Sequence, residues 1–127
     1  MTVLSPDHIS HEAIRLDIAE ISGYLQAQLG QKLTAYISGV NDPKMVGRWA
    51  SAKAAPRADR DMRLREGYMA TRMIAEAYGP TTAKAWWVGS NTRLDDRAPA
   101  AIVRAASDPE ALRYVVPAAR AFAGGPA

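Results

Sequence analysis

Apolar positions recur along this chain at three- and four-residue steps, a pattern that predicts helices throughout. Ser5-Pro6-Asp7 can open a first helix, with serine as cap and proline at the first helical position, although residues 1–7 otherwise read as frayed. Ile14, Ile18, Ile21 and Leu25 then mark one apolar face of a helix running to Gly30. Gln31 to Ser38 reads as a second, shorter helix with Leu33, Ala35 and Ile37 turned inward and Gly39 as its stop. Asn41-Asp42-Pro43 offers a cap and a first-turn proline for a third helix, with Val46 and Trp49 inward and Pro56 as its end. From about Asp59 to Tyr78 the longest helix carries two stripes, Leu64, Tyr68, Ala75 and Tyr78 on one side and Met62, Met69 and Met73 on another. Two stripes mean cover on two sides, and hence the centre of a bundle.

Gly79-Pro80 breaks that helix, and Thr81 to Val88 forms a short one holding Trp86-Trp87 and closed by Gly89. Ser90 to Asp96 is polar and turn-like, Pro99 opens another short helix through Ala106, and Asp108-Pro109-Glu110 caps the last. Leu112, Val115, Val116, Ala119 and Phe122 give this final helix a continuous face. The expected architecture is all-α, a compact bundle of about seven helices. Residues 1–58 form a helix-turn-helix-like part, 59–122 a C-terminal helical part, and 123–127 a flexible tail. No Gly/Ser linker separates the two parts, so they are expected to share packing.

Composition agrees with helix over sheet: alanine is abundant, phenylalanine occurs once, and β-branched runs are scarce. At 127 residues the chain can bury one real core and hardly two. The absence of cysteine excludes a disulfide framework, a Cys-based zinc site and a thiol nucleophile. With no apolar run near 18 residues and no basic-then-apolar leader, a soluble cytoplasmic protein is expected. The net charge of +3 matters less than its distribution. Residues 1–30 lean acidic, whereas 44–72 carry Lys44, Arg48, Lys53, Arg57, Arg60, Arg63, Arg65 and Arg72 against Asp59, Asp61 and Glu66.

A short helix, a turn and a basic helix form the pattern of a helix-turn-helix, with Lys44, Arg48, Lys53 and Arg57 as candidate phosphate or base-edge contacts. The competing reading of the Arg57–Arg72 run is an exposed helical surface on which Arg57, Arg60 and Arg63 pair with Asp59, Asp61 and Glu66. Adjacent side chains on a helix diverge by about 100°, so one of Trp86 and Trp87 is expected in the core and the other as a partner anchor, unless both are half-buried between helices. His8 and His11 share a helical face but lack further ligands, so no metal is expected. Asn91 reads as a turn cap, Asp95-Asp96 as a solvated loop and the methionine stripe as core filler. No nucleophile–base pair, metal cluster or phosphate-binding glycine loop appears, which argues against an enzyme and against a cofactor.

Ala83-Lys-Ala-Trp-Trp87, Asn91-Thr-Arg-Leu94, Ala98-Pro99 and the closing apolar helix resemble the toxin-binding domain of the Xre/MbcA/ParS-type antitoxins. Val46-Gly-Arg-Trp49 and the small and basic residues after it are similar to the Xre-type helix-turn-helix of the same family. The likeness covers roughly residues 23–122 in the family's domain order. It implies an antitoxin of a type II toxin–antitoxin system whose partner is a RES-domain toxin, an NAD-depleting enzyme occluded by the antitoxin's C-terminal domain. It also implies operon repression through the helix-turn-helix, with a homodimer or a larger toxin–antitoxin assembly. Carried onto this chain, the toxin face comprises Trp87, Asn91, Arg93, Leu94, Arg120 and Phe122. Two departures bear on DNA reading: the turn Gly39–Pro43 is one residue longer than the common form, and Ser51-Ala52-Lys53 stands where a glycine is usual. The alternative is a free-standing Xre-type transcriptional regulator.

Overall fold

The computed structural model describes residues 5–124, which form seven α-helices and two short 3₁₀ turns. The first helix, α1 (Pro6–Arg15), starts as the sequence indicates: the Ser5 hydroxyl accepts the His8 amide hydrogen bond at 3.2 Å. It ends at Leu16, where the backbone turns extended, and Asp17 caps a new helix, α2 (Ile18–Ser38). The expected continuous stripe is therefore broken. Ile14 stands 78% exposed, while Ile9 and Ala13 supply the buried face of α1 and Ile21 and Leu25 that of α2. Two capping signals, serine and aspartate, outweigh one apolar spacing.

Within α2 the expected boundary persists as a kink, with Gly30 at φ 84° and ψ 165°. Gly39 ends the helix at φ 97°, and a Cβ there would stand 2.5 Å from Arg63 Nη1, so this stop serves both a left-handed turn and a close approach. The third helix, α3 (Lys44–Ala50), buries Val46 and Trp49 as expected. It stops well before Pro56. Lys53 N–H donates to Arg48 O and Ala52 N–H to Trp49 O, the two bonds of a Schellman close, with Ala52 at φ 61°. Alanine thus occupies a left-handed position that favours glycine, at a cost of about 1 kcal/mol.

The long helix α4 (Ala58–Tyr78) lies at the centre, packed against α1, α2, and three later helices: α5 (Pro80–Val88), α6 (Pro99–Ala105) and α7 (Val115–Ala123). The 3₁₀ turns Thr92–Leu94 and Pro109–Leu112 precede α6 and α7. Asp108 caps the second of these turns rather than α7, because its carboxylate accepts from the Ala111 amide. Val46, Trp49, Leu64, Tyr68, Ile74, Trp87, Val103 and Val115 belong to one apolar cluster, which runs without a break across the 58/59 position. Ala123 closes α7 and Gly124 caps it, so these two residues of the expected tail are ordered, and 125–127 lie outside the described residues. No helix among the described residues is long and apolar enough to cross a membrane.

Candidate functional site

Two arginines of the central helix, Arg63 and Arg65, bind backbone carbonyls instead of adding to a basic field. Arg63, 9% exposed, donates from Nε to Ala106 O and from Nη1 to Ser38 O, both at 2.9 Å. Arg65 caps the end of α1 through Ala13 O (2.7 Å) and Leu16 O (2.9 Å) while pairing with Asp61. Arg72 donates to the Tyr68 hydroxyl and pairs with Glu12 and Glu76, tying α1 to α4. Of the pairs expected on an exposed surface, Arg57 and Arg63 reach Asp59, but Arg63 does so from the interior. From α6, Arg104 donates to Tyr36 O and Asn41 Oδ1, both at 2.8 Å, and lies over the Tyr36 ring. The turn between α2 and α3 is therefore pinned from α4 and α6. Periodicity could not reveal this, since an arginine on a helix reads as solvated until the neighbouring helix end is in place.

The remaining basic surface is small. Lys44 and Arg48 lie one turn apart on the exposed side of α3 and form no salt bridge among the described residues. Lys53 is exposed in the turn beyond the helix, not on it, a correction that follows from the early close at Ala52. Arg57 immediately precedes α4, with its Nε 4.0 Å from Asp59.

Both tryptophans of α5 are inside. Trp87 is fully buried, with Nε1 donating to Thr71 Oγ1 at 2.8 Å, and Trp86 is 7% exposed, its ring edge-on to Trp87 with centroids 5.1 Å apart. Trp87, expected on a partner face, is thus a core residue, because α5 packs against α2, α4 and α6 at once. Leu94 is likewise buried, at 6% exposure, and leaves the candidate surface because its turn packs against α7 and places it in the apolar cluster. Asn91 caps as expected: its Oδ1 accepts the Arg93 amide at 3.0 Å, and its carbonyl accepts from Leu94 and Asp96. Asp95 and Asp96 complete the turn in left-handed conformations and are exposed.

This turn closes one end of an open groove of about 450 Å³. One wall is the α5 face of Thr82, Ala85, Trp86 and Gly89, and the other is the α7 face of Ala118, Ala121 and Phe122. Ser90, Asn91, Thr92 and Arg93 form the polar end. Phe122 is 43% exposed and meets Tyr78 edge-on at 5.6 Å. The groove therefore gathers Asn91, Arg93 and Phe122 from the sequence-derived set and adds Trp86, which that set had omitted. Arg120 does not join them. It sits two residues from both Ala118 and Phe122, on the far side of α7 at about 100° per residue. The Thr82, Ala85/Trp86, Gly89 and Ala118, Ala121/Phe122 spacings were visible in the chain, but only packing turns them toward each other.

Beneath α7 lies Glu66, a carboxyl on α4 that forms no salt bridge among the described residues. Burial pushes its pKa up to about 7, against a smaller lowering from the Val116 amide at the start of α7. His8 and His11 are exposed on α1, with His8 3.9 Å from Glu12, and no cluster of three His, Asp or Glu suited to a metal occurs among the described residues. Comparison of the chain with protein families, with curated proteins and with solved structures found no match.

Proposed function

We propose that this chain is the antitoxin of a type II toxin–antitoxin system, a cytoplasmic binding protein without a catalytic step or cofactor of its own. In this reading it neutralises a RES-domain, NAD-depleting toxin by covering the entrance to the toxin's active site. The carrying observation is convergence: Asn91, Arg93 and Phe122, selected by their place in a motif pattern, line one groove. Such a groove suits a binding role, with an apolar floor supplying affinity and a polar end setting the pose. Inhibition is then steric. A homodimer or larger toxin–antitoxin assembly would bring operator contacts through Lys44, Arg48, Lys53 and Arg57.

The test uses the product of the adjacent gene, which this reading expects to be a RES-type enzyme. Equimolar wild-type protein is expected to stop its NAD consumption, and Ala121→Trp, which fills the groove, to weaken inhibition by about 100-fold, the scale of a central interface residue. Unchanged NAD loss with the wild-type protein present sinks the reading.

A second reading, a stand-alone DNA-binding regulator, draws support from the exposed Lys44 and Arg48 on one face of α3. It predicts a salt-dependent gel shift on the chain's own promoter. Changing Lys44 and Arg48 together to alanine should flatten the salt dependence by about two phosphate contacts. Absence of any shift at low salt removes this reading without touching the first.

A further inference from the structure

We infer that the groove between α5 and α7 receives a peptide segment carrying a carboxylate beside an apolar side chain, with Arg93 as the counter-ion and the Trp86 ring as floor. The inference rests on the antitoxin reading for the partner's name, and on the groove's lining for its chemistry.

The polar groups of the lining are mostly donors. Arg93 is exposed, forms no salt bridge among the described residues, and is the charged residue of the lining. Asn91 Oδ1 already accepts from the Arg93 amide, which leaves the Asn91 side-chain N–H groups for an outside acceptor. Ser90, Thr82 and Thr92 add hydroxyls that donate as readily as they accept. Trp86, more than nine-tenths buried, contributes ring surface to the floor, and its Nε1 is enclosed and outside the reach of an occupant.

Among the described residues no carboxylate lines the groove, and Asp95 and Asp96, next in the chain, are outside the lining. A purely apolar occupant would bury Arg93 without compensation. A nucleic acid would need a track of cations, and here a single arginine faces an alanine-lined wall. A peptide carboxylate matches the donors, and its apolar neighbour matches Ala85, Ala118, Ala121 and Phe122. The carboxylate could belong to an acidic side chain or to a chain end, and the probes below separate these sources.

The full-length protein, labelled with ¹⁵N, is titrated with three peptides: acetyl-Leu-Phe-Glu amide, acetyl-Leu-Phe with a free carboxylate, and acetyl-Leu-Phe-Gln amide. The indole resonance of Trp86 is assigned by its loss in Trp86→Phe. At least one carboxylate peptide should move it saturably and bind about fivefold or more tighter than the Gln peptide, with the advantage lost in Arg93→Gln and largely kept in Arg93→Lys. The peptide that binds identifies the source of the carboxylate. Equal behaviour of all three peptides, or an advantage that survives Arg93→Gln, overturns the inference. In parallel, calorimetry with the RES toxin should show about tenfold weaker binding for Arg93→Gln. Toxin binding that is indifferent to Arg93 also overturns the inference and leaves the antitoxin reading standing. A carboxylate preference with no toxin binding keeps the groove's chemistry and removes the antitoxin reading.

Discussion

Replacing Arg63 with methionine is expected to lower the unfolding free energy by about 2–3 kcal/mol, although the new side chain is apolar and of similar length. Arg63 holds Ser38 O at the end of α2 and Ala106 O after α6, and it is 9% exposed, so water cannot readily replace it. Each carbonyl left without a partner costs about 1–3 kcal/mol, and burial of methionine returns only about 1–2 kcal/mol. Urea titration at neutral pH measures the difference. Arg57→Met is the control: Arg57 is exposed and stands 4.0 Å from Asp59, so its loss should stay within about 0.5 kcal/mol. Equal effects of the two substitutions would mean that the carbonyl ties are not what joins α2, α4 and α6.

Glu66→Gln is expected to stabilise the protein at pH 8 by up to ~3 kcal/mol and to change little at pH 4. The sign follows from proton uptake. A carboxyl raised from 4.5 to about 7 on folding binds its proton more tightly in the native state. Between those values the native state holds more protons than the unfolded one, so stability falls as pH rises through the window. Below it both states are protonated and the group is neutral in effect; above it the cost of ionising a half-buried carboxyl is present. Glutamine keeps an oxygen for the Val116 amide and cannot ionise. Urea midpoints at pH 4, 6 and 8 should therefore fall for the wild type from Glu66's contribution and stay flatter for the variant. Because Glu66 lies beneath α7, which forms one wall of the groove, partner binding measured over the same range should weaken as pH rises if α7 loosens with it.

The role of Asp42–Pro56 changes most between sequence and structure. Its pattern of cap, short helix and basic residues does form a turn and a helix, and Val46 and Trp49 pack inward as their spacing requires. Yet α3 ends at Ala50, and the turn before it is held by Arg63 and Arg104. A sequence pattern shows which side of α3 is polar. It does not show that arginines 20 and more residues away spend their donors on the carbonyls of the preceding helix end.

The candidate groove was half legible for a similar reason. Asn91 as a turn cap follows from its side chain alone, whereas Phe122, on the apolar face the pattern gives the last helix, stands 43% exposed. Trp87 was placed outside because one helix can turn only one of two adjacent tryptophans toward one neighbour, and Leu94 because the family likeness put its turn on the toxin face. In the structure α5 has neighbours on several sides, and both rings are enclosed.

By itself the sequence determined the all-α class, the central position of the helix expected from about Asp59 to Tyr78, the stops at Gly39 and Gly79, and the caps at Ser5 and Asn91. These rest on interactions within a few residues: helical periodicity, glycine's access to positive φ, and short side chains bonding nearby amides. Tertiary structure alone decided which arginines are interior, that both Trp86 and Trp87 are buried, that Glu66 is held without a counter-ion, and that α5 and α7 face each other across a groove. Those outcomes depend on desolvation and on donors meeting acceptors tens of residues apart, quantities that no local pattern contains.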